Sequence, residues 1–114
     1  MRVVSAVPTE SISEKLSVQR LSEALGLSNL RANVFTLAEG SMSRHLHREQ
    51  EEVYLVLDGT AMIGVDDQQY KVGEREALAV PARAWHRVAN VGVGPLTFFV
   101  AAAPPADDDA EIEG

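Results

Sequence analysis

The chain predicts a single all-β domain. From Leu30 onward the apolar residues recur with a period of two, the stretches between them are punctuated by Gly, Pro and Asp, and 114 residues are enough for one core but not for two. Residues 1–29 read as a segment with little regular structure, residues 30–103 as the β-domain, and residues 104–114 as a disordered acidic tail.

Taken in order, residues 9–28 are mixed in character. Ser22 to Gly26, with Leu21 and Leu25 on one side, suits a short helical turn closed by the glycine. Leu30 to Leu37 is a strand ended by Glu39-Gly40, and Val53 to Leu57 one ended by Asp58-Gly59. Thr60 to Val65 and Gln69 to Val72 flank Asp66-Asp67-Gln68, whose residues suit a hairpin turn. Ala77 to Val80, Trp85 to Ala89 and Leu96 to Ala101 complete the set. Val53 to Leu57 and Leu96 to Val100 are apolar on both faces, so both faces need cover, as in a sandwich or a small barrel paired with a second subunit. Pro104 to Gly114 opens with Pro-Pro and is otherwise mostly Ala, Asp and Glu, too polar to recover its ordering entropy by burial.

Composition excludes several functions. With no cysteine there are no disulfides, thiolate sites, iron-sulfur clusters or cysteine nucleophiles, and any metal must be held by nitrogen and oxygen. The N-terminal apolar run is broken by Pro8 and turns polar at Thr9, too short for a signal peptide or a spanning helix, so the expectation is a soluble cytoplasmic protein without membrane partners. The net charge is −7, but five acids (Asp107, Asp108, Asp109, Glu111, Glu113) lie in the last eleven residues; without them twelve acids face ten bases, leaving −2. Eight arginines and two lysines are scattered singly among acids, which does not make the basic stripe that nucleic acid requires.

All three histidines sit where a metal site would want them. His45 and His47 form an H-x-H pair, and His86 lies in Pro-Ala-Arg-Ala-Trp-His-Arg. In a strand, residues i and i+2 share a face about 7 Å apart, so the pair can chelate one ion. Glu52 is five residues beyond His47, the wrong parity for one continuous strand, so the chain must turn between them, and Arg48 to Glu51 is polar enough to do so. Alternation alone leaves Glu51 and Glu52 tied, because Tyr54 and Val56 are as apolar as Val53, Leu55 and Leu57.

The segment Gly40 to Gly59 resembles the first motif of the cupin superfamily, G-x5-H-x-H-x3,4-E-x6-G, with Glu52 six residues before the closing glycine. The second motif, G-x5-P-x-G-x2-H-x3-N, is matched by Pro81, His86 and Asn90. The resemblance spans roughly residues 30–102 and implies a small single-domain cupin of the cupin 2 type: an antiparallel double-stranded β-helix, or jelly-roll, barrel of six or more strands. It further implies that His45, His47, Glu52 and His86 ligate one divalent transition metal. Three departures stand out. Four residues, not five, separate Gly40 from His45, seven, not five, separate Gly73 from Pro81, and Arg83 occupies the second motif's second glycine. An arginine forced to positive φ costs on the order of 1 kcal/mol, so a different turn type is expected there.

Three imidazoles and one carboxylate leave an octahedral ion two open positions, and manganese, iron, nickel, copper and zinc all tolerate the set. Function is therefore expected to be metal-dependent chemistry of oxygenase or isomerase/lyase type on a small polar metabolite. The alternative is a non-catalytic sugar- or metabolite-binding module. Beyond the four ligands no general base stands out, since no histidine is spare. The candidate pocket lining is Phe35, Tyr54, Met62, Arg83 and Phe98; Arg83 also reads as a solvated loop charge, Trp85 as barrel packing and Asn90 as a turn residue. A homodimer is expected from the strands that are apolar on both faces and from family habit.

Overall fold

The computed structural model describes residues 2–113. Eleven strands and one short helix follow one another as β1 (Glu10–Ser11), β2 (Leu16–Gln19), α1 (Leu21–Leu25), β3 (Arg31–Leu37), β4 (His45–His47), β5 (Glu51–Asp58), β6 (Ala61–Val65), β7 (Gln68–Val72), β8 (Ala77–Val80), β9 (His86–Asn90), β10 (Leu96–Ala103) and β11 (Ala110–Ile112). They build two antiparallel sheets, ordered β1-β2-β3-β10-β5-β8 and β11-β4-β9-β6-β7. This is the jelly-roll expected from the motifs. No helix among the described residues is long and apolar enough to cross a membrane.

Alternation decides which side chains fill the space between the sheets. On β5, Tyr54 and Val56 are buried, while Val53 and Leu57 on the opposite face are 38% and 45% exposed. On β10, Leu96, Phe98 and Val100 point the same way and join Leu37, Ile63, Val72, Val80 and Val88 in one core. Phe35 packs on that core and stacks on Phe98, ring centroids 5.4 Å apart. Gly59 turns the chain from β5 toward β6 at φ +90°, where a Cβ would sit 2.7 Å from the Pro95 carbonyl oxygen, so only glycine fits. Asn90 ties the far end of the barrel: its Nδ2 donates to the carbonyls of Leu37, Ala38 and Gly94, and its Oδ1 accepts from Gly92 N–H. Trp85 lies outside the core cluster, half-buried, with the Arg44 guanidinium 5.3 Å above its ring.

Both ends of the chain carry more structure than composition suggests. Residues 2–29 supply β1, β2 and α1, the last closed by Gly26 in the left-handed region, the residue expected to end a short helical turn. The acidic tail, expected to be disordered, forms β11 and pairs antiparallel with β4, Ala110 opposite His47 and Ile112 opposite His45. Burial does not hold it; main-chain bonding and arginines do. Arg48 N–H donates to Asp109 C=O and Glu113 N–H to Arg44 C=O, while Arg31 pairs with Asp107, Arg44 with Glu113 and Arg48 with Glu111.

The turn before His86 also differs from expectation. Arg83 keeps positive φ, +68°, the conformation glycine holds most cheaply. Ala84 N–H closes this turn on Pro81 C=O, and Arg83 N–H donates to His47 C=O at 2.6 Å, so the strained residue anchors the β8–β9 connection onto the H-x-H strand.

Candidate metal centre

The H-x-H strand, β4, lies beside β9 in register, with His45 directly opposite His86. Alternation sends His45 and His47 to one face of the five-stranded sheet while the intervening Leu46 is buried on the other. Glu52 arrives from β5 in the facing sheet, on the same inward face as Tyr54 and Val56. Glu51 points outward and is exposed, which resolves the tie that alternation left open. One potential ligand atom from each of His45, His47, Glu52 and His86 lies within 4.8 Å of all the others.

The ring orientations suit a shared ion. His45 Nδ1 lies 3.0 Å from the Ser43 carbonyl and His86 Nδ1 2.9 Å from the Ala84 carbonyl; with those nitrogens protonated, both Nε2 lone pairs turn inward. His86 Nε2 sits 2.8 Å from Glu52 Oε1 and His47 Nε2 3.6 Å from Glu52 Oε2. The His86 ring is 1% exposed, yet its Nε2 has no aligned hydrogen-bond partner, and His47 Nδ1 is likewise buried and unpartnered. Three convergent imidazole nitrogens and a carboxylate are an N/O donor set that first-row divalent ions accept, so the residues fit a metal.

Electrostatics of the donor set reflect its crowding. Burial, with the neighbouring His86 and His47 adding to it, holds the His45 imidazole below its ordinary value of 6.5, against the opposing pull of Ser43 and Glu52. Burial alone would raise Glu52, but the close His86 contact and the positive potential of the other imidazoles outweigh it and lower the carboxyl below its usual 4.5. Tyr54 Oη donates to Glu52 Oε1 at 3.2 Å, and burial above all, with the negative Glu52 beside it, pushes the phenol well above 10.

Three of the four donor residues, His45, His47 and Glu52, line a cavity of about 340 Å³. Phe35, Tyr54 and Phe98 line it, together with Met42, Gln50 and, at the mouth, Arg31 and Asn33. Met62 and Arg83 do not. Met62 follows the outer parity of β6, between the buried Ala61 and Ile63, and lines a small surface cleft with Arg44 and Arg87. Arg83 is exposed on its turn and reaches the site only through its backbone bond to His47. Sequence reasoning missed Gln50, taken as a polar turn residue but only 5% exposed, and the tail residues Asp108, Asp109 and Ala110, which wall one side of the cavity. A glutamine before an inward-facing glutamate is a faint signal; the tail carries none.

A family model described as a cupin domain matches residues 33–102. Among curated proteins, the chain is 29% identical over 69 residues to the uncharacterized protein MJ1618 of Methanocaldococcus jannaschii, covering 60% of this chain and about half, 55%, of that protein. Among solved structures, it superposes on a sugar phosphate isomerase from a cupin superfamily of Silicibacter pomeroyi with TM-score 0.78 and 28% identity, over 88% of this chain and 66% of that one. It also superposes on the polyketide cyclase RemF of Streptomyces resistomycificus with TM-score 0.83 and 21% identity, over 100% and 86% of the two chains, a likeness of fold.

Proposed function

Since the chain belongs to the cupin domain family, we propose that it is a metal-binding cupin whose His45, His47, Glu52 and His86 hold one divalent transition ion and whose cavity takes a small polar metabolite for isomerase- or lyase-type chemistry. The observation that carries this reading is the convergence of four potential ligand atoms within 4.8 Å, three of them on residues that line a 340 Å³ cavity. When bound, such an ion supplies Lewis acidity toward a ligand oxygen and leaves coordination positions for it. Of the oxygenase and isomerase or lyase chemistries, the likeness to a sugar phosphate isomerase favours the second.

The chain's own residues would divide the work. Phe35 and Phe98 form an apolar floor that excludes water around the ligand. Tyr54, held protonated beside Glu52, fixes that carboxylate with a hydrogen bond and keeps it in place for coordination. Arg31 at the mouth suits an anionic group on the metabolite. A second reading, a binding module without turnover, is favoured by one feature: the imidazoles are committed to the donor set and the Tyr54 phenol is held protonated, so none of them is free to carry a proton. We read the protein as cytoplasmic, with a small-molecule ligand and no nucleic-acid partner.

Metal analysis of purified protein, followed by incubation with aldose and ketose phosphates in deuterated water under NMR, separates the readings. About one transition metal per chain with deuterium incorporation into a sugar supports isomerase chemistry. Metal with ligand-induced shifts and no turnover supports the binding module. No metal, and no thermal shift on adding manganese, iron, nickel or zinc, removes both. We also propose a homodimer through the outward face of β5, where Leu30, Val53, Ala79, Pro81 and Ala101 line an apolar groove of about 460 Å³. A monomeric mass by light scattering at micromolar concentration would refute it.

A further inference from the structure

Two of the three imidazoles are oriented by a backbone carbonyl two residues earlier in the chain, Ser43 for His45 and Ala84 for His86. His47 has no such carbonyl, and its buried Nδ1 is unpartnered. The Asp109 carboxylate, at the start of the C-terminal strand, brings Oδ2 to 3.6 Å from that nitrogen. We propose that Asp109 is the positioning residue of His47, accepting its Nδ1–H when Nε2 turns to a metal, and that docking of the C-terminal strand is thereby coupled to metal occupancy.

Asp109 is itself held in place. It is 6% exposed, and its carboxylate accepts the N–H of Glu49 on Oδ1 at 2.9 Å and of Gln50 on Oδ2 at 3.1 Å. Those two residues belong to the turn that carries the chain from His47 to Glu52, so one carboxylate addresses a ligand and the connection between two ligands. Its main chain is pinned as well: its carbonyl accepts from Arg48 N–H, and the Asp108 carbonyl accepts from the Arg48 guanidinium. A small approach of Oδ2 toward Nδ1 completes a carboxylate–histidine pair, which fixes the tautomer that leaves the Nε2 lone pair free and makes it a better donor. Removing such an outer partner typically weakens metal binding 10–100-fold. Because binding linkage is reciprocal, the metal must stabilise the docked tail by the same factor.

This inference rests on the metal-centre reading, and zinc titration by calorimetry on wild type and Asp109→Asn tests the two apart. The amide keeps an oxygen for the Glu49 N–H but turns a donor toward His47 Nδ1 and the Gln50 N–H, both of which need an acceptor. The expected result is a 10–100-fold weaker zinc affinity in Asp109→Asn, while Glu113→Gln, which only loosens the tail's ion pair with Arg44, stays within about twofold of wild type. In zinc-loaded wild type, the His47 Nδ1–H resonance is slow to exchange with solvent; in the variant it exchanges freely. Equal affinities and equal exchange in wild type and Asp109→Asn would overturn the role of Asp109 alone. Equal losses in Asp109→Asn and Glu113→Gln would also overturn it, by reducing it to tail anchoring. A wild type that binds no zinc overturns both readings. Should the variant not fold, hydrogen exchange on wild type decides: zinc must slow the amides of 109–113, and unchanged rates refute the coupling.

Discussion

Replacing Arg83 by glycine should stabilise the protein, and the magnitude can be worked from the backbone. Arg83 sits at φ +68°, where a Cβ costs roughly 1–2 kcal/mol relative to glycine. Glycine returns part of that gain, because its greater freedom in the unfolded chain costs about 0.4–1 kcal/mol. The hydrogen bond that matters, Arg83 N–H to His47 C=O, is made by the main chain and survives substitution, and the exposed side chain donates no hydrogen bond and forms no ion pair among the described residues. The net expectation is about +0.5 to +1 kcal/mol, or a melting temperature ~2–4 °C higher at this chain length. Differential scanning calorimetry on Arg83→Gly and Arg83→Ala is the assay. Alanine keeps the Cβ and should give no comparable gain. Equal stabilisation by both, or destabilisation by glycine, would refute the strain argument. A loss of metal affinity in Arg83→Gly would show that the guanidinium serves the site after all.

Other outcomes follow from the same geometry. With metal at 100 times its dissociation constant, wild type should gain about 2.7 kcal/mol, a melting shift near 10 °C, and His47→Ala or His86→Ala should abolish it; a shift retained by either variant contradicts the ligand assignment. Metal-free protein should lose stability on the acid side in two stages. His45 is held below 6.5, so the unfolded chain takes that proton first as pH falls past 6.5. Glu52 and Asp109 are held below 4.5 and 3.8, so their contributions, full above those values, vanish as pH falls through their lower folded values. For Asp109, burial opposes this, but hydrogen bonds from Gln50 and Glu49 prevail. Urea midpoints that stay level from pH 8 to pH 3 would contradict both stages. Deleting residues 104–114 removes the β11 ladder and its flanking main-chain bonds and should cost about 1–2 kcal/mol after the ordering entropy is returned; an unchanged melting temperature would show that the strand is undocked in solution. Gly59→Ala, with its Cβ 2.7 Å from Pro95 O and φ +90°, should cost more than 2 kcal/mol by thermal melting.

How much of this was legible beforehand depended on the kind of interaction involved. Strands such as Ala77–Val80 were readable to the residue because a short apolar run bounded by Glu76 and Pro81 is a local signal. The histidines of the cluster were readable as candidate donors because metal chelation demands scarce residue types at close spacing. The inward choice of Glu52 over Glu51 was not readable from alternation, since β5 carries Val53 and Leu57 on its outer face, an apolar surface that mimics a core. It came from the motif resemblance. Arg83 was expected to abandon the glycine conformation, but the closure of the turn onto His47 C=O outweighs a penalty of about 1 kcal/mol. Strand β11 was invisible because main-chain pairing and arginine partners contributed by distant segments leave no apolar pattern in an Ala, Asp and Glu sequence.

The placement of the arginines gives the tail an ionic-strength dependence that the apolar core of the barrel does not share. Arg31, Arg44 and Arg48 face Asp107, Glu113 and Glu111, so three of the tail's five acids are neutralised in ion pairs along one seam. Such pairs weaken as the Debye length shrinks, from ~8 Å at physiological salt to ~3 Å at 1 M. The apolar core between the sheets strengthens, if anything, in excluded salts such as sulfate. Concentrated salt therefore acts as a selective solvent for this molecule, loosening the seam that walls the cavity while leaving the apolar core intact.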